Sequence, residues 1–96
     1  MKMEIPSKAA VGKSKGEVIV EHVVPTMVIV NILMDLEKPT RRVVKEILQK
    51  YFHVLLVTKE EDRKLVVAGL RSTMPGDWDG ENIWARYEVV GIEKAN

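Results

Sequence analysis

The sequence contains no cysteine, only four prolines and few aromatic residues: two tryptophans, two tyrosines and one phenylalanine among 96 residues. Without cysteine, disulfides and thiolate metal sites are excluded, and this composition predicts a protein of the reducing cytoplasm. The formal net charge of +1 creates no overall field that would demand a nucleic acid or an acidic partner. Proteins stabilised by disulfides and proteins of high net charge are therefore excluded as classes.

Long apolar runs are also missing. The longest, residues 23–34, is interrupted by Pro25, Thr26 and Asn31, whereas a bilayer-spanning helix needs about 20 apolar residues. The N-terminus lacks the apolar segment of a secretory signal. We therefore expect no membrane partner.

The composition that is present, 46% hydrophobic and 30% charged residues, is typical of a globular domain, and 96 residues suffice for one. Residues 1–16 carry four lysines and one glutamate among small residues, which predicts a basic flexible arm. This arm is either a solvated tail or a segment that contacts phosphates. We assign residues 17–96 to a single domain.

The spacing of apolar residues predicts alternating strands and helices. Residues 17–24 are β-branched and favour a strand that ends at Pro25. Helical spacing follows from Thr26, Lys38-Pro39 ends that helix, and Thr40 caps a second one. The apolar run 53–57 predicts a buried second strand. The first two strands are thus separated by a helical hairpin.

A capping box follows the second strand. The Thr58 hydroxyl can accept from the Glu61 N–H, and the Glu61 carboxylate can accept from the Thr58 N–H. This pattern predicts a helix from Lys59 to about Ala68, ended by Gly69. Alternation in residues 83–92 favours a further strand, with a helix starting at Asn82 as the competing interpretation. The predicted fold class is α+β: one small domain of two or three strands, with a ββα-like core.

Two neighbouring polar residues, Glu21 and His22, lie near the end of the first predicted strand, before Pro25. Glu21-His22-Val23-Val24-Pro25 resembles the Asp-His-x-x-Pro opening of HNH (His-Me finger) nucleases. The segment from His53 to Lys64 is similar to the closing part of that motif, with Thr58 and Glu61 at the two structural cysteine positions. The two segments cover less than a fifth of the chain.

The resemblance implies a set of roles. Glu21 and Asp62 would be metal ligands, His22 the general base and His53 the residue that orients the water. Two carboxylates suit Mg²⁺ or Mn²⁺, and histidine titrates near neutral pH, so the set fits phosphodiester hydrolysis. The partner would then be a nucleic acid, cleaved or bound.

A structural interpretation stands beside the catalytic one. His22 can be a hydrogen-bonded histidine at a strand edge, with Glu21 facing solvent, and His53 can mark a helix-to-strand junction. Asp62 can favour the dipole of the first helical turn. The chain would then be a non-catalytic protein-binding module, and the apolar content of residues 18–30 predicts a homodimer.

Overall fold

The computed structural model describes residues 5–95, which form a three-stranded sheet and four α-helices, and this confirms the predicted α+β class. The strands are β1 (Ile5–Pro6), β2 (Val18–His22) and β3 (Val54–Thr58). The strand order is β1-β3-β2, with β1 parallel and β2 antiparallel to β3. The helices are α1 (Thr26–Met34), α2 (Arg41–Tyr51), α3 (Lys59–Val67) and α4 (Ala85–Val90).

The predicted helical hairpin between β2 and β3 is confirmed. Pro25 lies at the N-cap of α1, and the Thr40 hydroxyl at the N-cap of α2 accepts from the Val43 N–H at 3.2 Å. The two helices pack against each other and against the loop before α4. Their shared apolar cluster is built around four buried residues: Val24, Ile29, Tyr51 and Met74.

The turn from β3 into α3 is held by the capping box that the sequence predicts. Thr58 and Glu61 form the predicted capping box, with a Glu61 N–H to Thr58 Oγ1 distance of 3.1 Å and a Thr58 N–H to Glu61 Oε1 distance of 2.9 Å. Gly69 then takes a φ of +74° just after the helix, as a left-handed C-terminal residue requires. The β2–β3–α3 unit therefore has the predicted ββα order.

The main core lies between one face of the sheet and helices α3 and α4. Leu55 and Val57 of β3 are fully buried there, together with Leu65 of α3 and Tyr87 of α4. Register places Ile19 beside Val57 on this same face. Since side chains alternate along a strand, the intervening residues of β2 and β3 point to the opposite side.

Two expectations are corrected by the structure. Residues 85–90 are helical, not extended as the alternation predicted, and Gly91 with a φ of +79° ends the helix. Arg86 and Tyr87 are adjacent and both buried, which a strand with one covered face would not allow, so tertiary burial favours the competing helical interpretation.

The second correction concerns the segment predicted as a flexible arm, residues 1–16. Residues 1–4 lie outside the described part of the chain, as does residue 96 of the predicted domain. From Ile5 onward the segment joins the fold, because β1 pairs with β3 and Ser7 and Ala10 are buried. A tight turn region and a 3-10 helical turn, Lys15–Glu17, then lead into β2. The lysine-rich composition led to the prediction of a flexible arm, although a few residues, among them Ser7 and Ala10, attach the segment to the fold.

Candidate functional site

The Glu21 carboxylate is hydrogen-bonded to other side chains of the protein. Its carboxylate Oε1 accepts from Arg86 Nη2 at 2.8 Å and from the Tyr87 hydroxyl. The Arg86 side chain is fully buried and that of Glu21 is only 13% exposed. A buried charge is stable only when it is paired and hydrogen-bonded, and this carboxylate supplies the pairing.

Arg86 connects three parts of the chain that are distant in sequence. Its Nη1 donates to the Leu70 carbonyl at 2.8 Å, just after α3, while Nη2 donates to the Val23 carbonyl at 3.1 Å and to the His22 carbonyl. Only its Nε lacks a partner among the described residues. The guanidinium therefore attaches α4 to the end of β2 and to the loop that follows α3.

Tyr87 completes this network, which we call the Glu21 network (Glu21, Arg86 and Tyr87). Burial raises the pKa of the Tyr87 hydroxyl well above its usual range, and the hydrogen bond to the Glu21 carboxylate raises the pKa further. Both effects disfavour a tyrosinate beside an existing negative charge. The hydroxyl therefore acts as a fixed donor to Glu21.

The roles of Arg86 and Tyr87 were not predicted from the sequence. The segment Trp84-Ala85-Arg86-Tyr87-Glu88 carries no chemical motif, and a single arginine gives no sign of burial. The helical interpretation of this segment would have placed Tyr87 on a face with Ile83, Trp84 and Val90. No pattern in the sequence, however, links Arg86 to Glu21, which is 65 positions away.

The two histidines lie near one end of the β2–β3 pair. His22 is half-buried, and its ring centroid lies 5.9 Å from that of Phe52 in a tilted arrangement. His53 Nε2 lies 3.1 Å from the Gln49 carbonyl oxygen, and the His53 backbone carbonyl accepts from the Val23 N–H at 2.9 Å. Antiparallel pairing thus places the backbone of His53 beside the end of β2 that carries His22.

Asp62 lies in the first turn of α3, where it is half-buried. Glu60 and Glu61 share that turn, and three acidic residues there match the preference of a helix N-terminus for negative charge. The position therefore accords with the structural interpretation of Asp62.

The residues that the resemblance assigns to metal binding do not fit a cation well. Within residues 5–95, no group of three or more His, Asp or Glu side chains could hold a metal ion. In addition, Oε1 of Glu21 already accepts from a buried guanidinium and from the Tyr87 hydroxyl. The metal roles of Glu21 and Asp62 and the catalytic roles of His22 and His53 stay predictions, and these contacts count against the metal roles.

A different feature stands out on the face of the sheet opposite α3 and α4, which we call the open sheet face. Register places Val20 beside Leu56 and His22 beside Val54 on this side. Neither apolar core includes these four side chains or their neighbour Val18. Val20 is 49% exposed and the other four are half-buried. The open sheet face consists of Val18, Val20, His22, Val54, Leu56 and, from β1, Pro6.

Exposed apolar side chains continue beyond one end of this face. Phe52, which contacts the His22 ring, is 52% exposed, and Leu48, one helical turn earlier, is 39% exposed. Aliphatic strand residues with an aromatic residue at their border are typical of a surface that another protein covers.

The fold and these surfaces define a small α+β domain with one covered and one open sheet face. Comparison of the chain with protein-family models, with curated proteins and with solved structures gives no match. Among the described residues, the structure contains no helix of the length and apolar character needed to cross a bilayer.

Proposed function

We propose that this chain is a non-catalytic protein-interaction module that associates with a second copy of itself through the open sheet face. The observation that carries the proposal is the exposure of neighbouring branched aliphatic side chains, Val20, Leu56, Val54 and Val18, on a sheet that is covered on its other side.

Burial of these side chains provides the driving force. Apolar surface gains about 25 cal/mol for each Å² removed from water, and a half-exposed valine therefore retains a large part of that gain for an interface. On the other face of the sheet, Leu55 and Val57 are already removed from water by packing against α3 and α4. The open sheet face also carries aliphatic residues, but no described helix packs across it.

A second copy suits this surface because an aliphatic face complements itself. Apart from His22, the open sheet face carries no titratable side chain, so two copies can face each other without opposing charges. Sheets pack face to face at about 10 Å with strands near −30°. A twofold axis would place the same residues on both sides.

The area indicates a weak rather than an obligate dimer. Two strands of five residues and the two residues of β1, at about 4.8 Å between strands and about 3.3 Å per residue, give a face of at most roughly 14 by 16 Å. A standard interface buries about 800 Å² on each partner. The contact must therefore extend over Phe52 and Leu48, whose exposure allows it.

Sedimentation equilibrium or light scattering over a concentration series tests the proposal. Val20→Lys should weaken dimerisation by at least about thirtyfold, since the loss of about 1 kcal/mol of burial occurs in both copies and 1.4 kcal/mol equals tenfold. Lysine is tolerated on exposed edge strands, so the fold should survive, as a thermal melt can verify.

Val67→Lys provides the matched control. Val67 is 80% exposed on α3, in the layer on the other side of the sheet, so this variant should dimerise like the wild type. A wild-type chain that stays monomeric at millimolar concentration, or equal weakening by both substitutions, would contradict the proposal.

A second candidate is the HNH-like function, metal-dependent cleavage or binding of nucleic acid. It is favoured by the β2–β3–α3 order and by the position of His53, just before β3, where its backbone bonds to Val23 next to His22. The test incubates the wild type, His22→Ala and His53→Ala with plasmid, single-stranded DNA and RNA in Mg²⁺ or Mn²⁺. Removal of acid–base help should lower the cleavage rate about 10²- to 10⁴-fold. Absence of cleavage and of nucleic-acid binding by the wild type would remove this candidate.

A further inference from the structure

Residues of α3 line a groove with a volume of about 900 Å³, together with residues that precede β2 and one residue of α4. We call it the α3 groove. Its lining combines four basic residues, Lys13, Lys59, Arg63 and Lys64, with the apolar residues Val67, Ala68 and Val90.

The basic residues of the α3 groove are available to a partner. Within residues 5–95 none of the four forms an ion pair, whereas Lys8, Arg42, Lys50 and Arg86 all do. Two carboxylates share the lining, Glu17 and Glu60. Glu17 is already engaged, because its Oε1 accepts from the Ser14 N–H at 3.1 Å and from the Ser14 hydroxyl at 2.9 Å. The groove therefore has an excess of positive charge.

Along α3 the basic residues come first and the exposed valine follows. Lys59, Arg63 and Val67 are four residues apart, so they form one line along α3. Charge lies at the N-terminal part of this line, and at its C-terminal end Val67 is 80% exposed beside Val90 of α4. Two amides at the start of α3 are already engaged, because the Thr58 N–H donates to the Glu61 carboxylate and the Glu61 N–H donates to the Thr58 hydroxyl.

We infer that the α3 groove binds an acidic peptide segment of another protein, with its carboxylates beside Lys59 and Arg63 and an apolar anchor side chain against Val67 and Val90. Carboxylates complement the unpaired cations, and the anchor covers apolar surface that the fold leaves exposed. This inference concerns the opposite side of the sheet from the dimer contact and does not depend on it.

Nucleic acid suits the groove less well. Single strands are bound by a basic track combined with aromatic side chains on which bases stack. The α3 groove has no aromatic residue in its lining, and its valines offer nothing to a phosphate. The apolar end therefore favours a peptide.

Selection from a display library of short random peptides on the wild-type domain tests the inference. Enriched peptides should combine clustered Asp or Glu with a neighbouring large apolar residue. Fluorescence anisotropy with the labelled enriched peptides should show affinities at least about tenfold weaker for Arg63→Glu and for Val67→Asp, a loss equivalent to about 1.4 kcal/mol. Affinity should also fall as salt is raised, because exposed charges are screened within about 10 Å at 0.1 M.

Two variants serve as controls. Lys45→Glu reverses an exposed charge on α2, outside the groove, and should leave peptide affinity unchanged. Val20→Lys alters the open sheet face and should also bind the peptides normally, which separates the two surfaces. The inference is overturned if no acidic, apolar-containing peptide is enriched, if Arg63→Glu binds as tightly as the wild type, or if single-stranded oligonucleotides displace the peptides from the groove.

Discussion

Substitution of Arg86 should be among the most damaging single changes to this fold. In Arg86→Met the Glu21 carboxylate, which is only 13% exposed, loses its ion-pair partner, and the Leu70 and Val23 carbonyls each lose a donor. Breaking a buried pair by removing one member costs about 3–5 kcal/mol. Since a domain of this size is stable by about 5–15 kcal/mol, the loss is a large fraction of the total.

The partner substitutions refine this magnitude. Tyr87→Phe keeps the packing and removes only a hydrogen bond to a charged group, so we expect about 1.5–3 kcal/mol. In the double variant Glu21→Gln/Arg86→Met no buried charge remains unpaired, so the combined cost should fall below the sum of the single costs. The difference should be about 0.5–3 kcal/mol, as is usual for residues in one network.

Urea unfolding followed by circular dichroism measures these free energies, and the double-mutant cycle gives the coupling. Glu21→Gln should destabilise the protein equally with and without Mg²⁺, because the carboxylate binds Arg86. A cost below about 1 kcal/mol for Arg86→Met would refute the argument that the Glu21 network holds α4 to the end of β2. A Mg²⁺-dependent stability that Glu21→Gln abolishes would restore the metal role.

Three further predictions concern stability. The folded-state pKa of Tyr87 is raised, so the stability that its protonated hydroxyl contributes is present below the unfolded pKa of about 10 and is lost at higher pH. Above pH 10 the unfolding free energy should therefore fall by up to about 1.4 kcal/mol per pH unit. Urea titration should show a less steep fall for Tyr87→Phe. Thr58→Ala should cost about 0.5–2 kcal/mol in thermal melts, because it removes the α3 cap, and an unchanged melting temperature would contradict this. Leu55→Ala should lower the free energy of unfolding by about 2–5 kcal/mol, because it truncates a buried core residue. Leu56→Ala, on the open sheet face, should lower it clearly less when the protein is dilute and monomeric. Equal losses would refute the assignment of these two residues to opposite faces of the sheet.

The two proposed surfaces lie on opposite layers of one small domain. The open sheet face presents aliphatic side chains and the α3 groove presents unpaired cations beside valine. If both are used, a dimer would display two α3 grooves facing outward, so peptide binding would be bivalent. Val20→Lys would then reduce the avidity of a bivalent peptide and leave the affinity of a monovalent one unchanged.

Local chemistry determined much of this protein from the sequence alone. The β-branched run before Pro25, the helical spacing from Thr26 and the cap at Thr40 predicted β2, α1 and α2. Thr58 and Glu61 predicted the start of α3 down to its hydrogen bonds. These features depend on residues at most four positions apart, and such interactions are visible in any short window of sequence.

Tertiary structure decided the rest, because the remaining contacts join residues that no local pattern connects. β1 is fixed by pairing with β3 and by Ser7, whose hydroxyl donates to buried Glu61 at 2.6 Å, 54 positions away. The helical state of residues 85–90 depends on burial of Arg86 and Tyr87 against Glu21. The sequence placed Glu21 in a strand before a proline, but only the fold brought a guanidinium to its carboxylate, because the energy of a buried charge depends on what surrounds it.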